Sequence, residues 1–214
     1  MTPTEIESAA RNRYNAVGDT FFSSSEILDL MYQACIELAR EANVIEQVYT
    51  TSTVASQQEY SYPTTAVAIK RITYEGAKLQ PITMREDDAI TGLSASTTDS
   101  GTPAYYFIWN KEIYLRPIPS GVGTLKIFTI NEPQAITSTS TLEVPTHFHM
   151  DLTHYICAAM AMKDGNMQVW QMHEDKWQKV LISAKKWARL SKRADSFTNV
   201  QDEDQLIGGY LGLV

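Results

Sequence analysis

The chain has 214 residues, 43% apolar and 20% charged, a balance that fits a globular protein and excludes disordered and fibrous classes. Its net charge of −7 and pI near 5.1 argue against a dedicated nucleic-acid binder, which carries a basic face and an alkaline pI. No run approaches the roughly 18 apolar residues of a membrane span, and the N-terminus lacks a secretory signal's basic-then-apolar order.

Residues 4–47 carry a helical pattern. Thr2 is a candidate N-cap, Pro3 suits the first helical position, and Glu5 complements the positive end of the helix dipole. After a break at Gly18-Asp19, Ile27, Leu30, Met31, Ala34, Leu38 and Ala42 recur at spacings of three and four. That stripe predicts an amphipathic helix, with Ser23, Ser24 and Ser25 all available to cap it.

From Val48 to Val144 the pattern changes to strands rich in Val, Thr and Tyr. "AVAIKRITYEGAKLQPITM" alternates on both sides of Glu75-Gly76, a hairpin signal in which glycine takes positive φ. "MREDDAITGL" reads as one or two helical turns, its acids Glu86, Asp87 and Asp88 serving the dipole and solubility. "GTPAYYFIWNKEIYLRPIPSG" (residues 101–121) is a second hairpin folding at Asn110-Lys111, with Tyr105, Phe107 and Trp109 on one face and Tyr106 and Ile108 on the other. "TLKIFTI" supplies a further strand.

Residues 145–194 return to helix. Thr146 is a candidate N-cap for "HFHMDLTHYICAAMAMK", and Asp164-Gly165-Asn166 is its stop. A longer helix follows, with Trp170, Trp177, Leu181, Ala184 and Ala188 on one face and Val180 and Trp187 flanking it. Residues 195–214 form an acidic segment and then the apolar, glycine-punctuated "LIGGYLGLV".

These patterns predict an α+β fold: a four-helix bundle built from both ends of the chain, with an antiparallel β-sandwich or barrel-like domain inserted in it. The expected domains are residues 1–46 with 145–194, the insertion 47–144, and a tail 195–214. Cys35 and Cys157 lie in amphipathic helical runs and read as reduced core thiols, as expected of a protein made in a reducing compartment.

Sites for chemistry are scarce. His147, Asp151 and His154 fall at i, i+4 and i+7, so on one helix they would share a face and form a weak metal candidate. No glutamate stands as general base beside them, and surface histidines at a helix start explain the pattern better. No nucleophile elbow and no glycine-rich phosphate loop occurs, so an enzyme is not expected and no cofactor is called for. Lys185, Lys186, Arg189, Lys192 and Arg193 crowd the end of the last helix. They either complement its dipole or form a basic face for a phosphate backbone or for an acidic partner surface such as a subunit or a larger assembly partner, the acidic Asp202 to Asp204 of a neighbouring copy included. Leu206, Ile207, Tyr210, Leu211 and Leu213 of the tail either fold back on the helices or dock on a partner as an extended peptide.

Three stretches carry a resemblance: "ARNRYNAVGDTFFSSSEILDLMYQACIELARE", the hairpin of residues 101–121, and "VPTHFHMDLTHYICAAMAMKDGN". In this order they resemble the head-to-tail adaptor (connector) proteins of tailed bacteriophages, in particular the tail-tubular type with a β-insertion. The resemblance implies a structural virion protein, assembled in the bacterial cytoplasm as a homo-oligomeric ring, usually a dodecamer. Such a ring joins the portal protein to a tail nozzle or tail tube and surrounds a channel that DNA crosses only transiently, with no membrane involved. It also implies that the C-terminal segment, here Leu206, Ile207, Tyr210, Leu211 and Leu213, reaches the portal. The competing expectations are a carbohydrate- or receptor-binding β-module, with the hairpin aromatics as its platform, and a metal-dependent enzyme using His147, Asp151 and His154.

Overall fold

The computed structural model describes residues 1–91 and 99–193. Among these residues the fold is α+β. Its helices are α1 (Pro3–Tyr14), α2 (Ser24–Ala42), α3 (Met84–Thr91), α4 (Leu152–Lys163) and α5 (Met167–Arg193). The chain divides into two compact units, residues 45–132 and the segments on either side of them.

The helical unit is built from caps that the sequence spells out. At α1, Thr2 and Glu5 form a reciprocal capping box: the Glu5 N–H donates to Thr2 Oγ1 and the Thr2 N–H to Glu5 Oε2. Ser23 caps α2 by accepting from the Glu26 N–H at 3.2 Å. Both helices end at an asparagine in the left-handed region, Asn15 (φ 60°) and Asn43 (φ 52°). Each then turns an apolar stripe inward, because no single helix can hide its own stripe from water. α4 packs against α1, α2 and α5, burying Ile6, Ala10, Ile27, Met31, Leu38, Ile156, Met160 and the whole of Trp177. Cys35 and Cys157 are free and buried in this core. Burial pushes the Cys35 thiol up to about 12 and that of Cys157 to about 11, so neither is a nucleophile at neutral pH.

One helix starts later than its sequence signals. Thr146 does not cap a helix running from His147; residues Thr146–Phe148 form a 3-10 turn after Pro145, and α4 begins at Leu152. Two buried side chains hold the tight turn. Phe148 is sunk into the core, and the buried His149 places Nε2 2.9 Å from the Val144 carbonyl oxygen.

The other unit has ten strands among its described residues: β1 (Glu46–Ser52), β2 (Glu59–Ser61), β3 (Ala66–Tyr74), β4 (Ala77–Lys78), β5 (Gln80–Pro81), β6 (Ser100–Gly101), β7 (Tyr105–Trp109), β8 (Glu112–Arg116), β9 (Ile118–Pro119) and β10 (Thr124–Asn131). One sheet has the order β1-β10-β3-β4 and a second β2-β8-β7-β5, with β6 and β9 pairing separately. Both predicted hairpins are present. Glu75 and Gly76 take φ 47° and 83°, Asn110 and Lys111 φ 48° and 59°, the positive pairs that a two-residue turn needs to follow strand twist. The two larger sheets share one core, in which Ile72, Tyr74, Leu125 and Ile127 meet Tyr60, Tyr106, Ile113 and Leu115. The barrel-like expectation is corrected: among the described residues each sheet ends in edge strands and none closes on itself. The pairs β5–β7 and β6–β9 are parallel, which the antiparallel expectation also missed.

Candidate assembly interface

α5 is a helix with two different faces. Its inward side carries His173, Trp177, Val180, Leu181, Ala184 and Ala188, all buried at the helical spacing. Its outward side carries Lys179, Lys186 and Arg189 together with Met172, Ile182 and Leu190, the last two 55% and 65% exposed. Lys185 lies to one side, where its Nζ reaches Glu41 Oε2 of α2 at 2.5 Å. It is engaged within the subunit, whereas Lys186 and Arg189 have no ion-pair partner among the described residues. Lys192 and Arg193 belong to the helix, but their side chains lie outside the described set. Leu206, Ile207, Tyr210, Leu211 and Leu213 lie outside the described residues altogether.

A second exposed apolar group sits where the α1–α2 loop meets the α4–α5 turn. Tyr14 donates to Asp164 Oδ2 at 3.1 Å, and Lys163 Nζ bonds both the Phe21 carbonyl and Glu26 Oε2. The same ammonium lies 4.5 Å over the ring of Phe21, which packs edge-on against Phe22. Phe22 is buried, but Phe21 stays half exposed, and Val17, Met162 and Met167 are more exposed still. Apolar side chains gathered at one end of a folded unit are the kind of patch that interaction sites use.

The histidines do not assemble as the spacing implied. His147 stands on the 3-10 turn, with its ring 4.9 Å from that of Trp187 and 4.0 Å from that of Phe148. His154 faces the other way and places Nδ1 3.2 Å from Nδ1 of His173 on α5. Arg13 Nη1 touches both ring nitrogens of His154 and donates to Thr153 Oγ1. Burial holds the His154 pKa down to about 4, helped by the positive fields of Arg13, His173 and Lys176. His173 is lowered for the same first reason, and burial raises the carboxyl of Asp151 against the pull of Arg13 and His147. Two neutral imidazoles beside a guanidinium can pass one hydrogen bond between them. Among the described residues no three His, Cys, Asp or Glu side chains form a group able to hold a metal ion.

The family model of the SU10 adaptor protein matches residues 1–201. The chain belongs to the SU10 adaptor protein family. It is thus a phage structural adaptor protein, and no curated protein matches it.

For an adaptor, the chemistry of interest lies in surfaces, and the hairpin of residues 105–116 is mostly wall. Tyr106 enters the core, and Phe107 stacks on Tyr114 across the strands with centroids 4.8 Å apart and planes within 5°. Of its apolar side chains only Ile108 and Trp109, beside the turn, are well exposed, so the hairpin presents no row of aromatic faces for a sugar. The acids of α3 also divide differently from their sequence reading. Glu86 forms a capping box with Thr83, but Asp87 is buried and pairs with Arg116 of β8 at 2.9 Å. His173, its contact with His154 and the end cluster around Lys163 all escaped the sequence reading. The Phe21-Phe22 pair in a polar loop was the signal for the last of these.

Proposed function

We propose that this adaptor forms a homo-oligomeric, dodecameric ring that joins the portal vertex to the tail and lines part of the DNA path. The helical segments at both ends of the chain act as one bundle domain, and the β-unit of residues 45–132 is an insertion directed toward the tail nozzle or tube. The observation that carries the reading is the outward face of α5, where Lys186 and Arg189, without an ion-pair partner among the described residues, stand among exposed Ile182 and Leu190. Exposed aliphatic side chains set among positive charges give the face the mixed composition that protein interfaces use.

In this reading Lys185, Lys186, Arg189, Lys192 and Arg193 meet a neighbouring subunit or the portal, and Leu206, Ile207, Tyr210, Leu211 and Leu213 dock on the portal. Charge supports the conduit role. Dense Lys and Arg contacts to phosphate bind DNA tightly and would stall its passage, and a net charge of −7 per subunit leaves the ring weakly repulsive. The protein works by holding shape, without catalysis, as a component of the virion.

The deciding experiment mixes purified adaptor with portal protein and examines the products by mass photometry and electron microscopy. Rings on the portal are expected. Adaptor that stays monomeric at saturating portal would sink the proposal.

A further inference from the structure

The outward face of α5 has an ordered composition. Running back from the helix end it presents Leu190 and Arg189, then Lys186, Ile182, Lys179, Asp175 and Met172. Exposure of Met172, Ile182 and Leu190 ranges from 46% to 65%, while the opposite side of the helix is already packed in the core. Lys179, Lys186 and Arg189 have no ion-pair partner among the described residues, unlike Lys163 and Lys185, which reach Glu26 and Glu41. Toward the helix end, from Lys179 to Leu190, the strip is thus basic and apolar, and it stands exposed among the described residues.

The chain itself holds the complementary segment. Residues 194–214 contain no Lys or Arg, carry Asp202, Glu203 and Asp204 in a row, and follow them with Leu206 and Ile207. The order of these groups matches the strip read backward from Arg189: acids opposite Arg189 and Lys186, then aliphatic side chains opposite Ile182, about 6 Å further back at the helical rise.

We infer that the outward face of α5 is the seat of the chain's own C-terminal segment, with Asp202 to Asp204 on Arg189 and Lys186 and Leu206 and Ile207 over Ile182. The distances allow it. Residues 194–201 separate the acids from the helix end. Extended, that stretch spans at most about 27 Å, and even with half of it used to reverse direction it reaches back beside Lys186, only about 10 Å before Arg193 at the helical rise. A tethered segment of this kind sees its seat at an effective concentration in the millimolar range, so a few weak ion pairs and two aliphatic contacts suffice to keep it there. The seat also solves a solubility problem, because it covers apolar residues of both the helix and the tail before any partner arrives.

This contact deepens the reading of the tail as the docking peptide: α5 holds it until the portal competes for it. Displacement then frees two surfaces at once, the apolar end of the chain and the basic strip.

The test uses the monomeric fraction of an equal mixture of unlabelled and 15N-labelled full-length adaptor, treated with a zero-length carbodiimide crosslinker. The expected products link a carboxylate within 202–204 to Lys186 or Lys179, both peptides bearing the same isotope. Mixed-isotope pairs would place the tail on a second copy, and links spread evenly over the lysines of the β-unit would place it nowhere; either result overturns the contact. In a second arm, Lys186→Glu with Arg189→Glu is expected to speed chymotryptic cleavage of the tail about fivefold, as does high salt. An unchanged rate in a variant whose circular dichroism matches the wild type overturns it as well. If no tail crosslink reaches α5 but deletion of residues 201–214 abolishes portal capture, this contact fails while the docking reading stands.

Discussion

Tyr74 closes over Gly123, and its ring occupies the space that a side-chain carbon on residue 123 would need. The same glycine is held from its other side by Thr53, a fully buried residue whose Oγ1 accepts the Gly123 N–H at 2.8 Å while its own N–H donates to the Gly123 carbonyl at 2.8 Å. Neither neighbour can retreat, because Tyr74 belongs to the shared core of the two sheets. Gly123→Ala is expected to cost about 1–3 kcal/mol by overpacking, read as a lower urea midpoint at unchanged slope. In a Tyr74→Ala background most of that penalty should vanish. Additive losses in the double variant would show that the alanine acts elsewhere.

The His154–His173 contact makes a pH prediction with a definite sign. In the folded chain both rings are held below the ordinary imidazole range, His154 down to about 4, mainly by burial. The unfolded chain takes up those protons near pH 6.5, well before the folded one does. Stability is therefore intact above about 6.5, falls as pH drops toward about 4, and loses no more from this site below that. His154→Gln, which keeps a polar side chain but cannot titrate, should flatten the fall of urea stability across that window. A variant that tracks the wild type at every pH would remove the pair from the account.

How much of this was legible in advance depends on how local each signal is. The caps at Thr2 and Ser23, the stripes of α2 and α5 and the turns at Gly76 and Asn110 are all written within a few residues, and the structure realises them. The false start at Thr146 has a local cause too. Its signature of hydroxyl residue and proline fits a 3-10 turn as well as a helix, and only the distant core that swallows Phe148 decides between them. Pairing β1 with β10, some 80 positions away in the register Val48↔Phe128, leaves no trace in either strand alone. The same holds for His154 and His173, which meet only because α4 and α5 pack side by side. The basic strip of α5 was readable as charge, but its exposure among aliphatic side chains was not.

Asp87 illustrates the cost of reading an acid as mere solubility. Its side chain and that of Arg116 are 8% and 13% exposed, and the ion pair ties α3 to β8. Removing one partner of a buried pair strands the other charge, a loss of about 3–5 kcal/mol. Asp87→Ala should therefore lower the thermal midpoint far more than Asp88→Ala one residue on. Equal, small effects of the two substitutions would show that water reaches Arg116 freely.

The outward face of α5 gives the prediction that bears most directly on assembly. Lys186 and Arg189 make no ion pair among the described residues, so Lys186→Glu with Arg189→Glu should shift folding stability by no more than about 0.5 kcal/mol. The two substitutions replace two positive charges by two negative ones on a face proposed to meet an acidic partner surface, so they add repulsion as well as removing attraction. Assembly on the portal should weaken about tenfold or more at low salt. Screening acts on the wild-type attraction and on the variant's repulsion in opposite senses, so the gap between the two proteins should narrow as salt is raised. Mass photometry of adaptor titrated onto portal at low and high salt reads both effects directly. If variant and wild type assemble alike at low salt although tail cleavage shows the same tail exposure in both, the face that α5 turns outward contributes no contact to the ring.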